Sequence, residues 1–370
     1  MKKNVKLVLL LSVSLFLSSC SREETETNSV TNTSERGKIL IQTPSGATLE
    51  KVGDDYIWLG DILLSPSQVK EVSSKGYFSG LLLKGDKKNP ATYVDPNTHL
   101  PIAIQGQKAS TKAGDPKAAV GIYPRGNNQW GLVRYVLAPN LTQDRHRIIN
   151  EAMAHWQAHT NVRFYNMTGQ STRRPDGSSH DYIEFVNANV NNSYVGRIGG
   201  RQVLNLAQNQ DAATAIHEIG HAVGLFHEQS APNRDDFMNI NWGNLRREVW
   251  HNFDKVSPAT LFEAVDYSSI MMYSSYISDP AFVYNPNIPV MTRKDGSTWG
   301  STRVLSMSDR VLANHLYLPY IPRSDSYREL DDIVYKPDNT IMSSTERLAL
   351  QAKLNNGNPI PPLGGRVHVN

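Results

Sequence analysis

The stretch HEIGHAVGLFHEQ, residues 217–229, decides the fold of this chain because it carries three histidines and two glutamates in thirteen positions. His217 and His221 are four residues apart, so a helix would carry both on one face, with Cβ atoms about 5–6 Å apart. Two imidazoles at that spacing can both reach a zinc ion. Glu218 follows the first histidine, where its carboxylate can contact a metal-bound water without binding the metal. The spacing predicts a metal-binding helix.

A glycine one turn after the second histidine predicts where this helix ends. Gly224 can adopt the left-handed conformation that terminates a helix and turns the chain sharply. That turn would bring His227 back to the metal as a third ligand and leave a fourth position open for water. Three protein ligands and a water are typical of a catalytic zinc, whereas structural sites are usually closed by four protein ligands. We therefore expect one catalytic Zn²⁺. The alternative is an amphipathic core helix with incidental histidines.

The composition is that of a soluble globular protein and argues against a nucleic-acid partner. Hydrophobic residues make up 39% and charged residues 20% of the 370 residues, enough chain for one large domain or two ordinary ones. The formal net charge is only +3, and no block of lysines and arginines indicates nucleic acid or a membrane surface.

The N-terminus has the pattern of an export signal and ends at Cys20, the single cysteine of the chain. Three lysines within the first six residues precede an apolar run over 7–17, which is too short for a good transmembrane span. Leu-Ser-Ser-Cys over 17–20 resembles the lipobox of bacterial lipoproteins, in which the cysteine becomes the lipidated first residue. We expect residues 1–20 to be a lipoprotein signal peptide, with an ordinary secretory signal as the alternative. The chain would then be exported and held at the bacterial cell envelope through a lipid on Cys20.

Changes in composition divide the rest of the chain into four segments. Residues 21–37 are polar, which predicts a flexible tether. Residues 38–117 hold short apolar runs broken by glycine, proline and aspartate, and they end in a polar linker open to proteolysis. Residues 118–320 show strands followed by helices, an order typical of an α+β domain. Residues 321–370 contain one predicted helix, over 344–354, and no chemistry that we can name.

The apolar pattern predicts helices and strands around the histidine stretch. Residues 130–137 and 182–188 have the pattern of strands, and 193–207 indicate a further strand or strand pair. Residues 141–161 carry apolar side chains at helical spacing, with Thr142 as a cap. The histidine helix would begin after these strands, near Ala212.

Several blocks of the sequence resemble one protease family. HExxHxxGxxH, residues 217–227, is the extended motif of the metzincin metalloproteases, which also carry a methionine turn beneath the metal. SIMMY, residues 269–273, resembles the S-x-M-H-Y turn of the astacin family, with Met272 where histidine is usual. Further blocks similar to that family are HEQSAPNRDDFMNI (227–240), SYVGRIGG (193–200) and LSMSDRVLANHLY (305–317). The resemblance covers residues 118–317.

The resemblance implies an α+β fold of the metzincin, or zincin-like, type. Its catalytic domain would be a twisted, mostly parallel sheet with two helices above an active-site cleft. Tyr273 would be a fifth, displaceable zinc ligand, unless it is an ordinary buried tyrosine, and Met271 would pack beneath the metal. Glu228 would receive the new N-terminus after activation, or else be a solvated glutamate. Animal astacins carry two disulfides that the catalytic region lacks here, so their loop rigidity and substrate preference do not carry over.

Residues 38–117, the front segment, resemble an astacin propeptide. Such propeptides carry an F-x-G-D motif whose aspartate binds the zinc in place of the catalytic water. Trp58-Leu59-Gly60-Asp61 resembles this motif, and a carboxylate oxygen is a competent zinc ligand. Gly85-Asp86 is a second copy without the aromatic residue, and a plain turn is the third interpretation. We expect residues 38–117 to be a small β-rich or irregular propeptide, with Asp61 as the inhibitory ligand.

Together these features predict a zinc endopeptidase made as a zymogen. Glu218 would act as the general base toward zinc-bound water, and Tyr273 would stabilise the oxyanion. Polypeptide substrates would lie extended against the edge strand around Tyr194–Arg201. Arg303 would favour acidic side chains just after the cut, with an exposed structural arginine as the alternative.

Activation and rival functions complete the sequence-based expectations. An activating protease would cut the linker, with Lys117–Ala118 as one candidate bond, and the catalytic domain would be secreted if the tether leaves with the front segment. We expect a monomer, with contact to the membrane through the lipid anchor alone. One rival is a catalytically silent zinc-binding surface module on the same fold. Another is zinc-dependent hydrolysis of an ester or of an amide other than a peptide.

Overall fold

A computed structural model describes most of the chain from Lys38 onward. The residues it describes are 32–33, 38–77, 92–94, 101–103, 120–121, 132–173, 177–208, 210–256, 260–261, 265–321, 327, 329–336 and 338–363. Cys20 and its signal peptide, nearly all of the tether, Gly85-Asp86 and the Lys117–Ala118 bond lie outside the described residues. Within the described ranges, no helix has the length and the apolar composition that crossing a membrane requires.

The described residues form sixteen strands and five α-helices. The first eight strands are β1 (Asn32–Thr33), β2 (Ile39–Gln42), β3 (Thr48–Val52), β4 (Asp55–Trp58), β5 (Ile62–Leu64), β6 (Thr92–Val94), β7 (Pro101–Ala103) and β8 (Val120–Gly121). The other eight are β9 (Leu132–Leu137), β10 (Arg163–Asn166), β11 (Tyr182–Ala188), β12 (Asn192–Tyr194), β13 (Arg201–Ala207), β14 (Met238–Ile240), β15 (Thr260–Leu261) and β16 (Met291–Arg293). The α-helices are α1 (Pro66–Lys75), α2 (Gln143–His159), α3 (Ala212–Ala222), α4 (Met307–Leu316) and α5 (Ser344–Leu354). Short 3₁₀ helices cover Glu228–Ser230, Arg234–Asp236 and Arg247–Phe253.

One ten-stranded sheet organises the fold, in the order β1-β2-β3-β4-β5-β12-β13-β11-β9-β10. The strands β13, β11, β9 and β10 run parallel to one another, and β12 runs antiparallel to β13. The pairs β14–β16, β8–β15 and β6–β7 form three small antiparallel sheets. The expected α+β fold, with a mostly parallel sheet in the catalytic region, is confirmed. The region 193–207 is a strand pair, which was one of the two interpretations left open.

The helices α2 and α3 pack together and form the main core with this sheet. The Thr142 side chain caps α2 by accepting a hydrogen bond from the Arg145 N–H at 3.3 Å. The Trp156 Nε1–H donates to the Ile216 carbonyl of α3 at 3.1 Å, which ties the two helices together. The apolar side chains that α2 buries have the predicted helical spacing: Ile148, Ile149, Ala152, Met153 and Trp156.

The front segment shares the main sheet with the catalytic region. Its strands β2 to β5 form an antiparallel meander, and β5 then pairs in parallel with β12, the edge strand of the catalytic part. Trp58 and Leu59 are fully buried, in a core that also contains Phe226, Phe253 and Met272 of the catalytic region. The front segment was expected to be β-rich or irregular: residues 38–64 hold the strands β2 to β5, but the helix α1 that follows was not expected. The segment folds onto the catalytic region through both a strand pair and a core.

The C-terminal residues dock behind α2. α5 has the bounds predicted from the sequence, and its cap Ser343 and Glu346 form a reciprocal capping box. Asn161 is fully buried: its Nδ2 donates to the Tyr335 carbonyl at 2.8 Å, and its Oδ1 accepts the Tyr335 N–H at 2.8 Å. A small core of Tyr320, Leu330 and Val334 lies beside this contact. The described part of the extension is therefore a packed component of the fold.

Candidate metal centre

The helix α3 carries the first part of the histidine stretch and is fixed at both ends. Asp211 caps its N-terminus, where Oδ1 accepts a hydrogen bond from the Ala213 N–H at 2.8 Å. Gly224 lies two residues beyond the helix and has a φ of 113°, in the left-handed region that the sequence predicted. The turn returns His227 to the side of the helix that bears His217, with 5.2 Å between the two ring centroids.

Three histidines and one aspartate converge on a single point. His217, His221, His227 and Asp61 each offer one ligand atom, and these four atoms lie within 4.8 Å of one another. Asp61 Oδ2 lies 3.1 Å from His227 Nε2 and 3.5 Å from His217 Nε2. The other carboxylate oxygen, Oδ1, lies 3.4 Å from His221 Nε2. The three histidines predicted from their spacing and the aspartate predicted from the family motif therefore meet in one cluster.

The hydrogen bonds around this cluster fit a bound metal ion. His217 Nδ1 donates to the Ile270 carbonyl at 2.8 Å, and His221 Nδ1 donates to the Leu225 carbonyl at 2.8 Å. With Nδ1 donating to a carbonyl, the Nε2 atom of each ring faces the centre, where it can supply a lone pair to a metal ion that displaces any proton from it. In the described part of the chain, His221 Nε2 and Asp61 Oδ1 are buried without a hydrogen-bond partner. Such orphaned atoms are costly, and a cation at the centre would satisfy both. Imidazole nitrogen and carboxylate oxygen are ligands that suit zinc.

Charge within the cluster is unevenly distributed. Burial would lower the pKa of His217, but its hydrogen bond to Asp61 and the charge of Glu218 raise it to about 9. Burial lowers the pKa of His221 to about 4. Burial would also raise the pKa of Asp61, but the histidines around it outweigh this effect and lower the pKa well below its ordinary value. Asp61 is therefore an ionised carboxylate, which is the form that binds metal.

Glu218 lies beside the cluster and is not one of its four members. Its side chain is buried, and its Oε2 has no hydrogen-bond partner among the described residues. Burial, and then the negative charge of Asp61, raise the pKa of Glu218 well above its ordinary value. A buried carboxyl group with a raised pKa at a metal site is typical of a residue that moves protons.

The methionine turn passes directly beneath α3. The Met271 thioether lies so close to the helix that a Cβ added at Gly220 would stand 2.6 Å from its Sδ. Tyr273 lies at the edge of the cluster, with its ring centroid 4.8 Å from that of His227. The Tyr273 hydroxyl lies 3.1 Å from the position that a Cβ would occupy on Gly60. Met271 thus packs against the helix that carries two of the histidines, and the Tyr273 ring lies beside the third.

Asp61 reaches the histidines from the tip of a tight hairpin between β4 and β5. Trp58 pairs with Ile62 across the hairpin, and the φ angles of Leu59 and Gly60 are 54° and 96°. A leucine in the left-handed region costs about 1–2 kcal/mol. That cost is offset by the complete burial of the Leu59 side chain. A strained turn is thus kept at the point where the Asp61 carboxylate meets the histidine cluster.

Tyr194 and Arg201, both predicted to contact substrate, lie on different strands. Tyr194 ends β12, and β5 of the front segment pairs with it. Arg201 begins β13, and its guanidinium pairs with Glu184 of the neighbouring strand β11. Of the edge strand expected around Tyr194–Arg201, Tyr194 lies on β12 and Arg201 on β13, with the turn over 195–200 between them. Glycines with positive φ in that turn reverse the chain between β12 and β13.

Two residues whose roles were left open also have clear contacts. Arg303 Nη1 pairs with Asp211 Oδ2 at 2.7 Å, at the N-terminal cap of α3, which favours the structural alternative for this arginine. Glu228 is 1% exposed, and its Oε2 accepts the Asp266 N–H at 3.1 Å. The alternative of a solvated glutamate is therefore wrong.

Two contacts near the site escaped the sequence analysis. Glu50 of β3 accepts a hydrogen bond from His251 Nε2 at 2.6 Å, and both side chains are buried. Asp309 of α4 accepts a hydrogen bond from the Ile270 N–H at 3.0 Å. A charged residue inside the strand Thr48–Val52 was the available signal for Glu50, but nothing in the sequence pairs it with a histidine 201 positions away.

Comparison with known proteins assigns this fold and cluster to a family. The sequence model described as Astacin, a peptidase family, matches residues 123–318. The chain belongs to the astacin family. The match contains the histidine helix and the methionine turn, and the front segment lies outside it.

Two relatives of the chain are longer proteins than the chain itself. Protein SpAN of Strongylocentrotus purpuratus is 28% identical over 330 residues, which are 85% of this chain and 47% of SpAN. Flavastacin of Elizabethkingia meningoseptica is 34% identical over 176 residues, which are 46% of this chain and 36% of flavastacin. The chain thus spans less than half the length of either relative. One similar solved structure is High choriolytic enzyme 1, a hatching enzyme zinc-protease from Oryzias latipes. The two chains are 27% identical, and their superposition has a TM-score of 0.46. The match covers 53% of this chain and 93% of the choriolytic enzyme chain.

Proposed function

We propose that this chain is a zinc endopeptidase made as a zymogen, in which Asp61 blocks the zinc site. The observation that carries the proposal is the approach of the Asp61 carboxylate to all three histidines, at 3.1 to 3.5 Å. A catalytic zinc site has three protein ligands and keeps the next position for water. An aspartate from a separate segment of the chain would fill that position and keep the water out.

The histidines are the residues that would hold the ion. His217, His221 and His227 would bind it through Nε2, and the carbonyls of Ile270 and Leu225 would keep two of the rings oriented. The zinc ion, when bound, lowers the pKa of a coordinated water and polarises a carbonyl oxygen. The rest of the chemistry belongs to side chains of this chain.

Glu218 is the proposed general base. It follows a metal ligand on α3, is buried, and has an Oε2 atom without a partner in the described part of the chain. That oxygen can accept a proton from the attacking water and deliver it to the leaving amine. Replacement by glutamine would keep the shape of the side chain and remove the proton acceptor.

Tyr273 is the proposed oxyanion donor. Its hydroxyl lies against Gly60, beside the blocking aspartate, so departure of the front segment would free it. A hydroxyl at that position can donate a hydrogen bond to the oxygen that becomes negatively charged in the transition state. Such a donor typically contributes about 3 kcal/mol.

The front segment also occupies the strand edge where we propose that substrates bind. β5 runs along β12, with Leu63 opposite Tyr194. A polypeptide in extended conformation could take the place of β5 and pair with the same backbone groups. An edge of this kind supports polypeptide substrates over a small ester or amide. The front segment would therefore block the enzyme twice, at the metal and at the edge.

Activation and location extend the proposal. An activating protease would cut between the propeptide 38–117 and the catalytic domain 118–320, with Lys117–Ala118 as the proposed bond. Before that cut, a lipid on Cys20 and the tether 21–37 would hold the protein at the cell envelope. After the cut, the catalytic domain with its extension 321–370 would be free to leave as a monomer.

The test uses the chain without its signal peptide, nicked with trypsin at a low ratio. Casein cleavage is then measured with and without a zinc chelator, beside Glu218→Gln and beside Asp54→Asn, a control in an exposed turn of the front segment. We expect cleavage only after nicking, abolished by the chelator and by Glu218→Gln and unchanged in Asp54→Asn. A nicked chain that binds one zinc per molecule but cuts no polypeptide would refute the peptidase. That result would favour the catalytically silent zinc-binding surface module.

A further inference from the structure

A buried carboxylate on α4 holds the methionine turn through two hydrogen bonds. Asp309 is 1% exposed. Its Oδ1 accepts a hydrogen bond from the Ser269 hydroxyl at 2.7 Å, and its Oδ2 accepts the Ile270 N–H at 3.0 Å. Oδ2 also accepts the Ser306 N–H at 2.9 Å. A buried carboxylate is costly unless it is hydrogen-bonded, and these three donors satisfy it.

Ile270 connects this carboxylate to a metal ligand. Its N–H donates to Asp309, and its carbonyl accepts the hydrogen bond from His217 Nδ1 at 2.8 Å. The Ser269 hydroxyl, which donates to the same carboxylate, also accepts the Met271 N–H at 2.9 Å. The backbone is thus fixed on both sides of the carbonyl that orients the His217 ring.

The same turn also makes hydrogen bonds to residues that follow the third histidine. The Glu228 N–H donates to the Met271 carbonyl at 3.1 Å, and the Tyr273 N–H donates to Gln229 Oε1 at 3.2 Å. These two contacts fix the end of the turn near Tyr273. At the beginning of the turn, the Ile270 N–H donates to Asp309, and the Ser269 N–H donates to the Asp266 carbonyl at 3.2 Å.

Asp309 has a second role that must be separated from the first. Its backbone N–H donates to the Ser306 Oγ at 3.0 Å, and the two residues form a capping box at the start of α4. The cap uses the Ser306 side chain and also Asp309 Oδ2, which accepts the Ser306 N–H, whereas the contact with the turn uses the Asp309 carboxylate toward Ser269 and Ile270. A substitution at Ser306 can therefore remove the side-chain half of the capping box and leave the contact with the turn in place.

We propose that Asp309 is a positioning residue of the metal centre, because its carboxylate fixes Ile270 and the Ile270 carbonyl orients the His217 ring. This inference rests on the proposed zinc site and assigns it an outer partner on α4. Loss of a partner that orients a metal-binding histidine typically lowers metal affinity about 10- to 100-fold.

The test compares three variants of the full chain without its signal peptide. Asp309→Ala removes the carboxylate. Asp309→Asn keeps an acceptor oxygen for the Ile270 and Ser306 N–H groups, and Ser306→Ala removes only the side chain of the cap. Zinc affinity is measured by competition with a chromophoric chelator, the visible spectrum of the Co²⁺-loaded chain reports ligand geometry, and the Tm of the metal-free chain reports the fold.

We expect Asp309→Ala to bind zinc about 10- to 100-fold more weakly and to shift the Co²⁺ spectrum. Asp309→Asn should recover most of the affinity, and Ser306→Ala should lower the Tm of the metal-free chain while binding zinc as the unaltered chain does. The proposal is overturned if Asp309→Ala keeps full affinity and an unchanged spectrum, or if Ser306→Ala loses as much affinity as Asp309→Ala. An unaltered chain that binds no zinc would instead refute the zinc site itself, and His217→Ala provides the reference for a lost ligand.

Discussion

The buried pair of Glu50 and His251 joins the front segment to the catalytic region and permits a quantitative prediction. Glu50 Oε1 accepts a hydrogen bond from His251 Nε2 at 2.6 Å, and Lys38 pairs with the same carboxylate. The side chains of Glu50 and His251 are about one-twentieth exposed, and that of Lys38 is one-quarter exposed. Glu50→Gln keeps the shape of the side chain and removes its charge.

The magnitude follows from the burial of the pair. Hydrogen bonds to a charged group typically contribute about 1.5–3 kcal/mol each, so losing the charge that accepts from both His251 and Lys38 should cost about 3–6 kcal/mol. Lys38 lies partly in solvent, so we expect the lower end, about 3 kcal/mol, for Glu50→Gln. At about 1.4 kcal/mol per factor of ten, the front segment should open roughly 100-fold more often.

The effect of pH has a defined sign. Burial would raise the pKa of Glu50, but the hydrogen bonds from His251 and Lys38 outweigh it, so the pKa lies below the ordinary value of 4.5. A carboxyl group whose pKa is lowered by folding contributes stability above its unfolded pKa and loses that contribution as the pH falls through its folded pKa. The difference between the unaltered chain and Glu50→Gln should therefore be complete above the ordinary value of 4.5 and shrink below it.

The assay is hydrogen exchange of the β3 and β4 amides in the full chain. Glu50→Gln, His251→Gln and the double variant form a cycle, and Asp54→Asn in an exposed turn controls for loss of one negative charge. We expect each single variant to speed exchange, and the double variant to cost less than the sum of the two. Additive effects, or exchange in Glu50→Gln as slow as in Asp54→Asn, would show that the pair does not hold the front segment.

Three further predictions follow from single contacts. Gly220→Ala places a Cβ 2.6 Å from Met271 Sδ, so we expect the free energy of unfolding to fall by about 1–3 kcal/mol, with a lower Tm and weaker zinc binding. An unchanged Tm would contradict this packing. Asp61→Ala removes the carboxylate that would bind the metal but leaves β5 paired with β12, so casein cleavage by the un-nicked chain should stay near zero. Full activity without nicking would show that β5 does not block the substrate edge. Asn161→Ala leaves the Tyr335 N–H and carbonyl without their partner, so we expect the free energy of unfolding to fall by about 1–3 kcal/mol. Casein cleavage after nicking should be unchanged, and a loss of cleavage that matches the loss of stability would argue against a purely structural role.

The sequence predicted well wherever the signal lies within a few turns of chain. The spacing of His217 and His221 requires only that residues four apart share a helix face, and the left-handed Gly224 accounts for the return of His227. The bounds of α5 were predicted correctly, and its capping box lies within four consecutive residues. Local backbone geometry encodes such features without reference to the rest of the fold.

Prediction was poorer at the strand edge. The sequence indicated a substrate edge from Tyr194 to Arg201, but the chain reverses between them and Arg201 lies within the sheet. Backbone N–H and carbonyl groups are alike in every strand, so a sequence does not state which strand will cover an edge. Pairing of β5 with β12 is set by the packing of Trp58 and Leu59 into the core beneath them.

The sequence by itself determined the chemistry of this protein: three histidines, an adjacent glutamate and a second segment that carries an aspartate. Only the tertiary structure decided which partners support that chemistry. Glu50 meets His251 across 201 positions, and Asp309 meets Ile270 across 39. Buried polar groups must find partners wherever packing brings donors and acceptors together, and that packing depends on the whole arrangement of sheet and helices, not on spacing along the chain.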